Sequence, residues 1–383
     1  MRQIPRSFVL ALIIGLITVS TAFGANVQVP DFRMISRGYM EDGSFLLATR
    51  ADIDVRIEGG YKFGAEVGLS LSQPRFEQSV TLPESYDSDE VAGFINRTLR
   101  FDSASVFVRD LFGSPLDLSY FAGSTDIFAS GDEFSSRFGT APFGSSFRGY
   151  RYFTEGIIYD GIHQVRGTGL RLSSDSLADW LYLSAYAYQD LHFEEPGTFS
   201  NDVRALFNFS QIKLEAFAGA TYPKGDYGRY RGGLMFYFDT GTVGQFFTQV
   251  GVPRWQPGSG EDLGAEDIYF LFEPRVRFSN ASIVLSLFFH PRYYLQQQTG
   301  ESGAIDTNVK FLIGDAQTSP VRGGLDTGAE YRPNADQQLR VTVSPFLSLT
   351  TAGVVWDFTI QTQVYPIKLD DLVEGFVGIQ TSF

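Results

Sequence analysis

The sequence predicts an all-β chain: a transmembrane, antiparallel, up-and-down β-barrel of about 18 strands, with 16 as the competing count. Three observations carry this. Apolar residues recur at every second position through much of the chain, which puts one face of each strand toward oil and the other toward water. Short turns alternate with long polar connections. Beyond the N-terminal segment, no apolar run reaches the ~20 residues of a spanning helix.

Composition agrees with strands and tight turns. Aromatics make up 15% of the 383 residues, mostly Phe and Tyr, and there are 40 Gly against four Met; aromatic enrichment favours pleated surfaces. A mean hydropathy of −0.06 excludes a helical membrane protein. The net charge of −14 argues against nucleic acid or an anionic lipid surface as partner. Cys is absent, so neither a disulfide framework nor a Cys-linked lipid anchor is available.

The first element, MRQIPRSFVLALIIGLITVSTAFGA, has a charged start (Arg2, Arg6), an apolar stretch from Phe8 to Val19 and small residues at Ala22 and Gly24. It reads as a cleaved secretory signal over residues 1–24, leaving one barrel domain over residues 25–383. The next, RMISRGYM (Arg33 to Met40), supplies a rising first strand, with Glu41-Asp42-Gly43 as its turn. Ile53, Val55 and Ile57 then alternate with Asp52, Asp54, Arg56 and Glu58 before Gly59-Gly60 turns the chain into YKFGAEVGLSLS. In that strand Tyr61, Phe63, Val67, Leu69 and Leu71 face lipid, and Lys62 and Glu66 face a wet interior.

Further on, Trp180, Tyr182 and Tyr186 share a face, as do Tyr230, Leu234, Phe236 and Phe238. Ile268, Phe270, Phe272, Val276 and Phe278 return after Ser279-Asn280 through Ile283, Leu285, Leu287 and Phe289. Trp356, Phe358, Ile360 and Val364 alternate with Asp357, Thr359, Gln361 and Gln363. About 17 runs are clear, and the turn alternation requires one more before Ser44, which makes the count even and brings both termini to the short-turn end. The weakest strands by pattern are the first and the pair across residues 203–223.

The chain ends VEGFVGIQTSF, with Val373, Val377, Ile379 and Phe383 on one face. A signal-like start, repeated amphipathic hairpins and a final strand closing on an aromatic residue resemble the Gram-negative outer-membrane β-barrels, the porins in particular. The resemblance implies an outer-membrane location in contact with lipid, and Phe383 as part of the signal read by the barrel assembly machinery. By analogy alone it also suggests a homotrimer.

Function has to come from lumen and loops, since barrels host many activities. At 16 to 18 strands the wall is too wide for its own side chains to fill the interior, so a narrowing must come from a connection. The third long-side connection, residues 124–156, is the longest, and the porin resemblance implies that it folds inward as a constriction. Its candidate charges are Asp126, Asp132, Glu133, Arg137, Arg148 and Arg151. Parity places Arg229, Arg231, Arg275, Arg277, Arg292 and Arg322 on an inner basic wall, joined by Lys310, Arg332 and Arg340, and facing Asp52, Asp54, Lys62 and Glu66. Such an arrangement sets a field across the opening and biases ion passage, or stiffens the wall through salt bridges.

The expected activity is passive diffusion of small hydrophilic solutes or ions. A hydrophobic-solute barrel of fatty-acid type is the alternative, with Val27, Val29 and Phe32 dipping into the lumen; a structural or adhesive barrel without an open pore is another. An enzyme is not expected: His163, His192 and His290 are the only histidines, and none stands beside a nucleophile in a recognisable motif. Neither a metal site nor a cofactor is expected, since no His pair has ligand spacing.

Overall fold

A computed structural model describes residues 26–41, 43–73, 99–145, 161–192, 197–260, 262–294, 297–298, 302–314, 319–333, 335–367 and 372–381. The signal-like segment, Arg148, Arg151 and Phe383 lie outside these residues.

The strands are β1 (Asn26–Glu41), β2 (Ser44–Gly60), β3 (Phe63–Gln73), β4 (Leu99–Val108), β5 (Leu116–Phe128), β6 (His163–Ala178) and β7 (Leu181–Asp190). There follow β8 (Phe199–Phe209), β9 (Ile212–Tyr222), β10 (Arg229–Asp239), β11 (Gly244–Trp255), β12 (Tyr269–Arg277) and β13 (Ala281–Phe289). A two-residue ribbon, β14 (Tyr293–Tyr294) and β15 (Gln297–Gln298), interrupts before β16 (Ile305–Ile313), β17 (Val321–Tyr331), β18 (Leu339–Thr351), β19 (Val354–Tyr365) and β20 (Val373–Thr381). Without the ribbon, 18 strands form one sheet. Each pairs antiparallel with its neighbours, and β1 pairs with both β2 and β20, so the sheet closes and leaves no edge. No helix among the described residues is long and apolar enough to cross a membrane.

The alternation has the expected physical consequence. Phe63, Leu234, Val276, Leu285, Ile360 and Val377 stand exposed on the outside. In the β2–β3 register Ile57 lies opposite Val67 and Val55 opposite Leu69 on the outer face, with Glu58 opposite Glu66 within. Trp180 stacks with Phe209 and Phe207 (centroids 5.4 and 6.3 Å apart) at the short-turn end, the place of an interfacial aromatic girdle.

Several sequence expectations shift. The first strand begins at Asn26, earlier than Arg33, because Val27 and Phe32 pair opposite Ile57 and Ile53 of β2; they extend the wall and do not enter the lumen. Tyr182 and Tyr186 share a face, but it is the inner one, at 1% and 3% exposure, while Leu181, Leu183 and Ala185 take the outside. Lys62 sits in the β2–β3 turn, where its C=O accepts the N–H of Arg109, so it lies at the rim. Arg292 is not on a wall strand: β13 stops at Phe289, and Arg292 pairs with Glu266 and Asp267 in the adjoining connections.

Candidate functional site

The connection between β5 and β6 spans residues 129–162, because β5 runs on to Phe128 and β6 starts at His163. Its described part turns back on itself at once. Ala129 has φ 65° and Gly131 φ 90°, backbone in which a Cβ is strained. At Gly131 a Cβ would also meet the Phe143 ring at 2.9 Å. Helix α1 (Asp132–Phe138) follows, with Asp132 and Glu133 in its first turn, Arg137 in its last and a left-handed Gly139 ending it, the order that the helix dipole and cap favour.

This segment docks on the inner wall. Phe134 is fully buried, with ring centroids 5.7 Å from Phe138 and 5.4 Å from Phe143. Phe143 lies 4.2 Å from Tyr237 of β10 at 11°, a stacked pair, and edges Phe247 of β11 at 6.4 Å. Parallel-displaced rings of this kind add to area burial.

Polar anchors fix the same docking. The Ala129 N–H donates to Glu215 Oε1 of β9 at 2.6 Å, and the Gln249 amide of β11 donates to the Ala129 C=O. Ser145 Oγ donates to Glu273 Oε2 of β12 at 3.0 Å, and Arg275 donates to the Gly144 C=O. Each buried carboxylate is therefore paired and hydrogen-bonded, the condition for its burial. Glu273, at 0% exposure, accepts from Arg275 Nε at 2.8 Å and from Ser286 Oγ at 2.7 Å. Glu215 accepts from Arg204 Nε at 2.7 Å. The Arg204 guanidinium lies 5.1 Å over the Phe128 ring and 3.8 Å from Glu133 of α1.

A second buried network stands beside it. Arg231 of β10 donates to both oxygens of Asp202 on β8 at 2.7 Å and to the hydroxyl of Tyr188 at 3.2 Å. His163 Nε2 stands 3.4 Å from the same carboxylate. Gly219 of β9 makes room, since a Cβ there would sit 1.8 Å from Asp202 Oδ1. Asp126 of β5 accepts from Tyr186 at 2.6 Å and Arg171 at 3.0 Å. His192 and Ser200 both bond to Asp190, at 2.8 and 2.7 Å. Among the described residues no group of three His, Cys, Asp or Glu could hold a metal ion.

The opposite wall contrasts in exposure. Side chains of Arg204, Glu215, Arg231 and Asp202 are 0–1% exposed. On β2 and β3, Arg56 and Glu66 pair at 2.9 Å while 55% and 32% exposed; Arg109 and Glu58 pair at 3.0 Å while 40% and 38% exposed. Asp52 pairs with Arg50 at 2.7 Å, and Asp54 accepts from Ser70 at 2.6 Å. Arg277 pairs with Asp239 at 3.1 Å, Arg229 with Asp226 at 3.0 Å, and Arg322 lies on β17 opposite Ser348. The lumen is thus divided. Among the described residues, 129–145 and an aromatic core cover the wall from about β5 to β13, and the charged side chains of β1–β3 stay partly hydrated, although Asp326 of β17 and Glu374 of β20 are buried.

Of the six loop charges, Asp126 belongs to β5 and is buried, Asp132 stands exposed on α1, and Glu133 and Arg137 pair at 2.7 Å. Arg231 and Arg275 point inward, as parity expects, but Arg275 lies beneath the connection and Arg231 is buried in the network with Asp202 and Tyr188. Parity places Glu273 inward, but Arg204, Glu215 and Asp202 escape the sequence reading. The signal was present in NDVRALF and IKLEAF, where Asp202, Arg204, Lys213 and Glu215 alternate with apolar residues, but the partners lie on different strands.

No protein-family model matches the sequence, and no curated protein matches it significantly. Solved structures share its barrel. OccAB2 of Acinetobacter baumannii aligns over 94% of this chain and 98% of its own, with TM-score 0.52 and 9% identity. OccAB3 of the same organism aligns over 94% and 99%, with TM-score 0.52 and 11% identity. OccK8 (OprE) of Pseudomonas aeruginosa aligns over 94% and 98%, with TM-score 0.50 and 10% identity. At such identity the likeness is one of fold.

Proposed function

We propose that this chain is a porin-like channel of a Gram-negative outer membrane that lets small hydrophilic solutes or ions diffuse passively, with the β5–β6 connection as its constriction. One observation carries the reading: the described residues 129–145 of the connection dock on the β9–β12 side of the inner wall, while Arg33, Arg37, Arg50 and Arg56 of β1 and β2 keep 27–55% side-chain exposure. Half-hydrated charges on a concave wall favour water and polar solutes over apolar cargo. The chain's own residues narrow the path, orient solutes through opposed charges and keep the lumen wet; no covalent step is involved. In this reading the chain is not an enzyme, residues 1–24 are removed on export, the barrel assembly machinery engages the Phe383 end, and subunits can associate as a homotrimer.

The test is swelling of liposomes that carry the refolded chain. A monosaccharide should enter and swell them, and an oligosaccharide too wide for the narrowed lumen should not. Absence of swelling with every sugar, from a barrel shown to be folded, removes the reading.

A further inference from the structure

On the outer wall, β5 to β11 frame an apolar groove of about 810 Å³, within the size range of ligand sites. Its cause is one row of outward side chains across paired strands. Leu183 of β7 lies opposite Ala205 of β8, Ala205 opposite Ala216 of β9, and Ala216 opposite Leu234 of β10. Two methyl groups therefore stand between two exposed leucines. With strands about 4.8 Å apart, the leucine-bearing strands are roughly 14 Å from one another. From Val250, midway along β11, the groove runs down to Leu116 and Leu177 at the short-turn end.

Two features at that end are polar. Ser174 of β6 continues the row, opposite Leu116 on one side and Leu183 on the other. It lines the groove, is 2% exposed, and its Oγ has no hydrogen-bond partner. A hydroxyl buried in an apolar wall without an acceptor carries a cost that a carbonyl oxygen removes. Below it, Asp179 in the β6–β7 turn and Asp110 in the β4–β5 turn stand exposed, and among the described residues no ion pair takes either carboxylate. Arg109, the basic side chain of these turns, is engaged by Glu58. The rim of the groove is therefore acidic.

We propose that this groove holds one phospholipid with an ammonium headgroup, of the phosphatidylethanolamine class. An acyl chain lies over Ala205 and Ala216, where small side chains permit close approach to the backbone. The ester carbonyl accepts from Ser174 Oγ, and the ammonium meets the acidic rim at Asp179. A phosphatidylglycerol headgroup, with its net negative charge, is disfavoured there. Along β8 and β9 these alanines alternate with Arg204 and Glu215, so the lipid backs the wall on which the β5–β6 connection docks. The inference goes beyond the channel reading and takes from it only the placement of this wall in a membrane.

Native mass spectrometry of the detergent-solubilised full chain, given equal amounts of phosphatidylethanolamine and phosphatidylglycerol, counts the lipid retained. One phosphatidylethanolamine should stay bound, about threefold more often than phosphatidylglycerol, the scale of an exposed ion pair. Ala205→Leu combined with Ala216→Leu fills the groove with side chains suited to hydrocarbon and should abolish the retained lipid. Asp179→Lys should reverse the headgroup preference, and Ser174→Ala should weaken retention of both lipids. Should the leucine pair fail to fold, the two single variants still decide. Equal retention of the two lipids, or retention unchanged by the leucine pair, overturns the site. A lipid-free dimer that the leucine pair disrupts gives the groove to a second copy of the chain and overturns it as well. Each of these results is independent of single-channel current, so the lipid site and the channel reading stand or fall separately.

Discussion

Arg204→Met tests whether the β5–β6 connection is held by buried charge. The Met keeps an apolar body over Phe128 but removes the guanidinium from a Glu215 carboxylate 2.7 Å away. Both side chains are essentially unexposed, so the stranded carboxylate has no water to turn to. Breaking a buried pair in this way costs about 3–5 kcal/mol. Glu215→Gln is milder: its amide oxygen can still accept the Ala129 N–H, now at 2.6 Å, and Arg204 keeps Glu133 at 3.8 Å, so about 1–3 kcal/mol is expected. Combined, the two should cost less than their sum, because the second substitution removes the charge that the first stranded. Urea unfolding of the chain refolded into lipid vesicles reads all three. An Arg204→Met variant within about 0.5 kcal/mol of the parent, the scale of an unremarkable surface change, would show a solvated pair and refute the docked connection.

Four further outcomes follow from the same geometry. Val67→Arg on the outer face should cost about 2–4 kcal/mol near the bilayer midplane, whereas Glu66→Arg should fold normally and move the reversal potential in a salt gradient; equal tolerance by unfolding rules out the assigned faces. Gly219→Ala forces a Cβ to within 1.8 Å of Asp202 Oδ1 and should cost about 1–3 kcal/mol as overpacking, read by the same titration. Arg56→Ala removes a pair that is largely hydrated and should change stability by less than about 1 kcal/mol, with a measurable effect on ion preference. In the β9–β10 connection, the backbone N–H of Tyr227 and then the Arg229 side chain hold the Asp226 carboxyl below the usual carboxylate range. That group's contribution is present above the ordinary value and fades as pH falls through the lowered one. Carboxyl NMR should therefore find Asp226 titrating later in acid than an unrestrained Asp.

Much of the barrel was legible because its signal is local. Two-residue alternation in β3, β10, β12, β13 and β19 marks the outer face directly, and turn parity demanded a strand before Ser44, which β1 supplies. What alternation could not assign was which face is outer when both carry large residues. In β7 the tyrosines look like the lipid face, but Leu181, Leu183 and Ala185 opposite them are apolar too, and only the inner core decides. The candidate site was less legible, because its pairs join different strands. Arg204 meets Glu215 and Arg231 meets Asp202 across the β8–β10 wall, and Glu273 meets Ser145 from 128 residues away. Parity can tell that such a charge points inward. Only the path of residues 129–145 tells which inward charges are covered.

The account stands on that path, and single-channel recording in a planar bilayer tests it most directly. The parent chain is compared with one in which residues 132–156 are replaced by a short Gly-Ser linker. Discrete current steps from the parent, larger after the replacement, are the predicted result. Steps of equal amplitude from both would contradict the constriction, and a folded parent that gives no steps would contradict the channel itself.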